Sequence, residues 1–170
     1  GTTISELTAG ETYYYRLRSQ GKLNPKGVSG SNLKLWLDAS ELSTTEPNWA
    51  DHSGNGNHGI TGGFPSVVTN AQNGLSLMHY TGNGQRHKFN MINDIRTVFW
   101  VLSIDQAYSS SGYRYVLGDS TKHPHWHNNS NGKLFGSLSN THVINASTRL
   151  NGSIVNGSNT NQPTSLSILS

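Results

Sequence analysis

The densest run of chemistry-bearing side chains is Lys122-His123-Pro124-His125-Trp126-His127-Asn128-Asn129. If extended, it sets His123, His125 and His127 on one face, about 7 Å between alternates from the strand rise. Three neutral imidazoles so placed are ligands for zinc, copper or nickel. The competing reading is a surface loop with solvated histidines over a packed Trp126, and Pro124, which has no N–H for a ladder, favours it. Trp126 has a second use. An indole face flanked by His125, His127, Asn128 and Asn129 matches what a sugar ring requires, C–H stacking with hydrogen bonding at the rim. These five residues are the candidate ligand site, with a partly buried core tryptophan as the plain alternative.

Catalytic chemistry finds less support. The acids are Glu6, Glu11, Asp38, Glu41, Glu46, Asp51, Asp94, Asp105 and Asp119. None repeats in the strand-wise pairing that glycoside cleavage uses. Asp38 and Glu41 are three apart where a strand gives way to a turn, and capping is the ordinary role of such residues. No G-x-S-x-G elbow, P-loop or H-E-x-x-H is present. The chain therefore reads as a non-enzyme with no catalytic residues and no obligatory cofactor. A calcium ion is the alternative to no cofactor, because Asp38, Asp51 and Asp119 with Asn carbonyls offer hard oxygens. Turn stabilisation by Asp51 is the competing role. The N-x-S/T triplets at Asn128, Asn145, Asn151 and Asn156 are what chance gives in so Asn/Ser-rich a chain.

The elements that must carry these residues follow from composition. Gly, Ser, Thr and Asn make up 76 of 170 residues, and only 12% are charged. Such a chain excludes a coiled coil, a helical bundle and a membrane-spanning helix. It has too little charge for an electrostatically extended chain, which leaves an all-β domain with many turns. The formal charge of +3 is spread thinly, with no basic cluster beyond Arg16, Arg18, Lys22 and Lys26, so nucleic acid is not an expected partner. No cysteine is present, so disulfides, thiolate zinc sites and a Cys nucleophile are excluded.

Along the chain, Leu33-Lys34-Leu35-Trp36-Leu37-Asp38 alternates as a strand does. Trp49-Ala50-Asp51-His52-Ser53-Gly54-Asn55-Gly56-Asn57-His58-Gly59 is a dense turn signal in which Asp51 and Ser53 can hydrogen-bond nearby backbone. Strand-like runs follow at Ser66–Thr69, Leu75–Met78, Thr97–Leu102, Tyr113–Leu117 and Leu166–Leu169. Thr97–Leu102 is apolar on both faces, which predicts a central strand covered on both sides. Trp36, Trp49 and Trp100 sit in or beside these patterns and read as packing residues. Short strands between Gly/Asn/Ser turns argue an antiparallel β-sandwich.

Two resemblances sharpen this. Leu7-Thr8-Ala9-Gly10-Glu11-Thr12-Tyr13, feeding an alternating Tyr13–Arg18 strand, resembles the end of a fibronectin type III domain with Tyr13 as its tyrosine corner. Residues 1–20 would then be the remnant of that domain, 21–30 a linker marked by Asn24-Pro25 and glycines, and 31–170 the main domain. In that main domain LKLWLDAS, W-A-DHSGNGNHG, NGLSLMHYTGNGQ and TVFWVLS, in order, resemble the laminin-G-like, concanavalin A-like jelly roll of bacterial multi-modular proteins. The resemblance implies two curved antiparallel sheets and a secreted or cell-surface setting. It also implies neighbouring domains in the same chain, and a non-catalytic role in carbohydrate binding or adhesion toward a glycan or surface polysaccharide. A structural spacer or protein-interaction module is the alternative, and a glycan-active enzyme the third. The sequence departs from that pattern twice. Gln85-Arg86-His87 stands where the family often has two acids and an aromatic. The chain also ends at Ser170, where the family usually continues, implying a fragment without its last strands or an edge capped from elsewhere.

Overall fold

A computed structural model of the chain describes residues 31–42, 48–82, 84–104, 114–118, 126–128, 132–136 and 139–170. The chain divides between Leu33 and Lys34 into two units, and every named element falls in the second. The strands are β1 (Ile60–Gly62), β2 (Ser66–Gln72), β3 (Leu75–His79), β4 (Arg86–Lys88) and β5 (Trp100–Leu102), then β6 (Arg114–Leu117), β7 (Trp126–Asn128), β8 (Thr148–Leu150), β9 (Ser153–Val155) and β10 (Ser167–Leu169). Among the described residues, helix is confined to a 3-10 turn at Ala39–Glu41 and a single turn, α1 (Thr141–Ile144). Every strand pairing among the described residues is antiparallel. The described domain is thus an antiparallel all-β structure with almost no helix.

Two Asn-Gly turns close two hairpins. Asn73 and Gly74 (φ 51° and 74°) join β2 to β3 with Gln72 opposite Leu75. Asn151 and Gly152 (φ 50° and 83°) join β8 to β9 with Leu150 opposite Ser153. Paired positive φ angles match the right-handed twist of the flanking strands, and Asn and Gly tolerate them best. Asn151 does more than turn the chain: its Oδ1 accepts from the Ile168 amide at 2.8 Å, tying the hairpin to β10.

The four-stranded sheet runs β5-β10-β8-β9. Its inner face carries Trp100, Leu102, Leu169, Leu150 and Val155, packed with Leu134, Phe135 and the α1 residues Val143 and Ile144. Its other face is open, with Val101 67%, Ile168 52% and Ile154 69% exposed. Ile168 lies directly opposite Val101. The expected central strand at Thr97–Leu102 is therefore corrected. Among the described strands β5 is an edge, and one face of it meets solvent. The apolar residues on that face were mistaken for core because composition alone cannot separate burial from an open apolar surface.

Leu33–Asp38 contains no helix; Leu37 bridges Asp51, and the segment is held by the turn beneath it rather than by a ladder. Asp38 caps the 3-10 turn, its Oδ1 accepting from the Ser40 amide at 2.9 Å and the Ser40 hydroxyl at 2.7 Å. Asp38→Ala is expected to cost about 1 kcal/mol, the usual worth of such a cap. A urea midpoint unchanged within error would show that the turn does not depend on it.

Candidate functional site

The long turn after Trp49 is organised by one carboxylate. Asp51 is 8% exposed. Its Oδ1 accepts from the Trp36 and Ser53 amides, both at 2.9 Å. Its Oδ2 accepts from the Ser53 hydroxyl at 2.8 Å and the Asn57 amide at 2.9 Å. Burial alone pushes this carboxyl up, and the bonds from Trp36, Ser53 and Asn57 more than reverse it, holding it below the ordinary aspartate value. The Asp51 amide donates to His58 Nδ1 at 3.1 Å, which leaves the ring proton on Nε2. Asn55 Nδ2 and Asn57 Nδ2 donate to the Lys34 carbonyl, and Ser53 Oγ, whose proton goes to Asp51, lies 3.3 Å from it. The motif thus stitches the turn to the Leu33–Asp38 segment.

This arrangement gives the described acids structural roles. Four donors converge on Asp51, so its oxygens are already met by positive hydrogens where a calcium ion would have to sit. Asp38 is spent on its cap. Glu41 Oε2 meets His52 Nε2 at 3.1 Å, and Asp94 Oδ2 meets Lys34 Nζ at 2.7 Å. Each described carboxylate therefore has a structural contact. Among the described residues no group of three His, Cys, Asp or Glu could hold a metal. Asp119 and His123 lie outside the described residues.

Trp36 and Trp49 each pack against a histidine. Trp36 meets His52 edge-on with centroids 5.7 Å apart, and Trp49 meets His87 at 5.6 Å. His87 also meets Tyr80 edge-on at 5.7 Å, and the Tyr80 hydroxyl is hydrogen-bonded to His87 Nδ1 at 2.6 Å. Burial of that hydroxyl pushes the Tyr80 phenol up to about 12, although the residue as a whole is 42% exposed. The enclosed end faces His87. Gly59 sits close to this cluster: a Cβ there would lie 3.2 Å from Trp49 Cβ and 3.3 Å from His87 Cβ, a tight fit that asks the neighbours to give by a few tenths of an ångström. Beside this cluster Trp49 Nε1 and Thr61 Oγ1 are buried with no hydrogen-bond partner. An atom so placed costs about 1–3 kcal/mol.

The same ribbon ends in a loop that presents an aromatic ring. Phe64 is 87% exposed and holds φ at 55°, a left-handed backbone that a bulky residue adopts at a cost of about 1–2 kcal/mol. Several contacts impose it. The Phe64 carbonyl accepts from Gln85 Nε2 at 3.0 Å, while Gln85 Oε1 accepts from the Thr81 amide at 2.5 Å. Gly63 (φ 71°) lies so close to the Gly84 carbonyl that a Cβ would come within 2.7 Å. Pro65 is buried behind it. A braced loop that holds an apolar ring in water is strain with no intramolecular return, the kind of feature that collects at binding sites.

Trp126, His127 and Asn128 form β7, with Asn128 opposite Arg114, His127 opposite Tyr115 and Trp126 opposite Leu117. The loop preferred for this run on account of Pro124 is thus a paired strand at its centre. The described pairing spans Trp126–Asn128, each of which has an N–H to donate. His125 and Asn129 lie outside the described residues, and so do Pro124 and Tyr113. Phe64 was not among the sequence candidates. Gly62-Gly63-Phe64-Pro65 carried a signal for it, an aromatic set between glycines and a proline in a turn.

The described part is an antiparallel β domain with a buried-carboxylate turn and a braced, ring-presenting loop. Compared with known proteins, the chain matches no protein-family model, no curated protein and no solved structure.

Proposed function

We propose that the chain is a non-catalytic carbohydrate-binding or adhesion module. In this reading it has the laminin-G-like, concanavalin A-like sandwich fold and belongs to a secreted or cell-surface bacterial multidomain protein, following a fibronectin type III unit. The observation that carries the binding role is Phe64. An aromatic face held open on a rigid loop is a stacking surface for the C–H face of a sugar, at little ordering cost on binding. Engagement of every described carboxylate in structural contacts supports a role without catalysis, and the antiparallel sheets agree with the fold.

A glycan array with wild type, Phe64→Ala and Trp126→Ala tests the role. Wild type is expected to retain a defined set of glycans, and Phe64→Ala to lose them by roughly tenfold in affinity, about 1.4 kcal/mol. Loss on Trp126→Ala alone would move the site to β7. A wild-type protein that retains no glycan removes the reading. The open face of Val101, Ile168 and Ile154 favours a second reading, a protein-interaction or spacer module. Sedimentation showing self-association that Val101→Ser abolishes would support it.

A further inference from the structure

We propose that the polysaccharide taken by the Phe64 loop is anionic, carrying a carboxylate on the sugar ring that Arg86 receives. This rests on the glycan-binding reading above and names the class of its ligand. Arg86 is not a wandering surface side chain. It lies opposite Gly62 in the β1–β4 register, and its Cζ, Nε and Cγ run along that glycine, within 3.3–3.4 Å of where a Cβ would be. Its Nη1 donates to the Gly84 carbonyl at 2.7 Å, the carbonyl that closes on Gly63. Gly62, Gly63 and Gly84 thus fix the guanidinium on the same loop that presents Phe64. One N–H is spent on that anchor, and the planar fork has five, so donors remain for a planar carboxylate. Burial does not hide the group, for Arg86 is exposed.

The charge along this stretch of the sequence points the same way. From His52 to Asn93 the chain has no acidic residue, while Arg86, Lys88 and four histidines fall within it. Lys88 lies opposite Ile60 on the same ribbon, two residues from Arg86. The described carboxylates are committed to Trp36, Ser53 and Asn57, to Ser40, to His52 and to Lys34. A stacking ring and a fixed cation carried by the same braced loop, in an acid-free stretch of sequence, fit a uronic-acid polymer better than a neutral glycan. It also fits better than a bare polyanion, which has no use for the ring.

The test is binding of the full chain to polygalacturonate, to dextran sulfate, to a neutral β-glucan and to double-stranded DNA. Variants are Phe64→Ala, Arg86→Gln and Arg86→Lys, each with its melting curve. Expected are binding to polygalacturonate, weakened roughly tenfold by Phe64→Ala and by Arg86→Gln and only partly restored by Arg86→Lys, which keeps charge without the fork. Raising salt should weaken it further. Binding to the neutral glucan alone overturns the inference and leaves the glycan-binding role standing, whereas no binding to any polysaccharide removes both. Binding to dextran sulfate or DNA as tight as to polygalacturonate, and indifferent to Phe64→Ala, overturns it in favour of unspecific charge attraction. A variant that melts early is replaced by Phe64→Leu, which keeps an apolar side chain and removes the ring, and unchanged binding by it overturns the stacking role.

Discussion

An Asp51→Ala protein is expected to unfold about 3 kcal/mol more easily than the parent, the largest loss from any single polar side chain described here. The substitution does not simply delete four hydrogen bonds. It leaves the amides of Trp36, Ser53 and Asn57 without their acceptor. Donors that lose a charged partner in a half-buried setting bear the full cost of their desolvation. The Leu37–Asp51 bridge and the contacts of Ser53, Asn55 and Asn57 to Lys34 depend on the same turn, so the Leu33–Asp38 segment loosens with it. Asp51→Asn is the sharper control, because its amide nitrogen would face incoming N–H groups as another donor. Urea melts at neutral pH should place both variants well below the parent, and a midpoint for Asp51→Asn equal to the parent's would refute this account.

The same carboxylate gives the domain an acid limit with a defined sign. Its folded-state affinity for protons is depressed, so its stabilisation is complete above the ordinary aspartate value and is lost as pH falls through the lower folded value. Asp94, lowered first by its hydrogen bond to Lys34 and further by the Lys34 charge, follows the same direction at an exposed and weaker site. Stability should therefore hold from neutrality to about pH 5 and fall below about pH 4. In Asp51→Asn most of that fall should vanish.

Much of this was legible in the residues and some was not, for separable physical reasons. The Asp51 turn was readable because Asp, Ser, Asn and Gly at those spacings have few uses other than bonding nearby backbone. The β2–β3 hairpin was readable from alternation around Asn73-Gly74. The β8–β9 hairpin had as strong a signal in Thr148-Arg149-Leu150-Asn151-Gly152-Ser153-Ile154-Val155, and strand length hid it, since three residues give hardly one period of alternation. β1 and β4 are equally short, and Arg86-His87-Lys88 has no apolar face at all. Those strands are held by cross-strand contacts, Thr61 opposite His87 and Arg86 along Gly62, which are long-range facts. Phe64 was missed for a related reason. An exposed aromatic and a buried one are the same letter; the turn residues Gly62-Gly63 and Pro65 hinted at exposure, and the folded chain shows it, with Gln85 and Gly84 bracing the loop.

Gly157→Ala should be among the most damaging single-methyl changes the domain can receive. Gly157 is buried, and a Cβ there would lie 2.3 Å from both Cδ2 and Cε2 of Phe135 and 3.0 Å from its Cγ. Phe135 is 2% exposed at the centre of the small core with Leu134 and Leu169, so the ring has no empty volume to enter. Backbone retreat is blocked too. The Phe135 amide donates to the Gly157 carbonyl at 3.0 Å, the Leu134 amide to Thr160 at 2.9 Å and the Gln162 amide to Gly132 at 2.9 Å, zipping the two segments together. Overpacking of a tight core costs roughly 1–3 kcal/mol and more where neither side can yield, so a loss of about 3 kcal/mol is expected. Phe135→Leu alone should also destabilise, by a cavity. Combined with Gly157→Ala, however, the smaller side chain makes room for the new methyl, and the double variant should be more stable than the sum of the two losses. Urea midpoints of the four proteins measure that coupling. Strict additivity would mean that the glycine is there for its backbone and not for the ring.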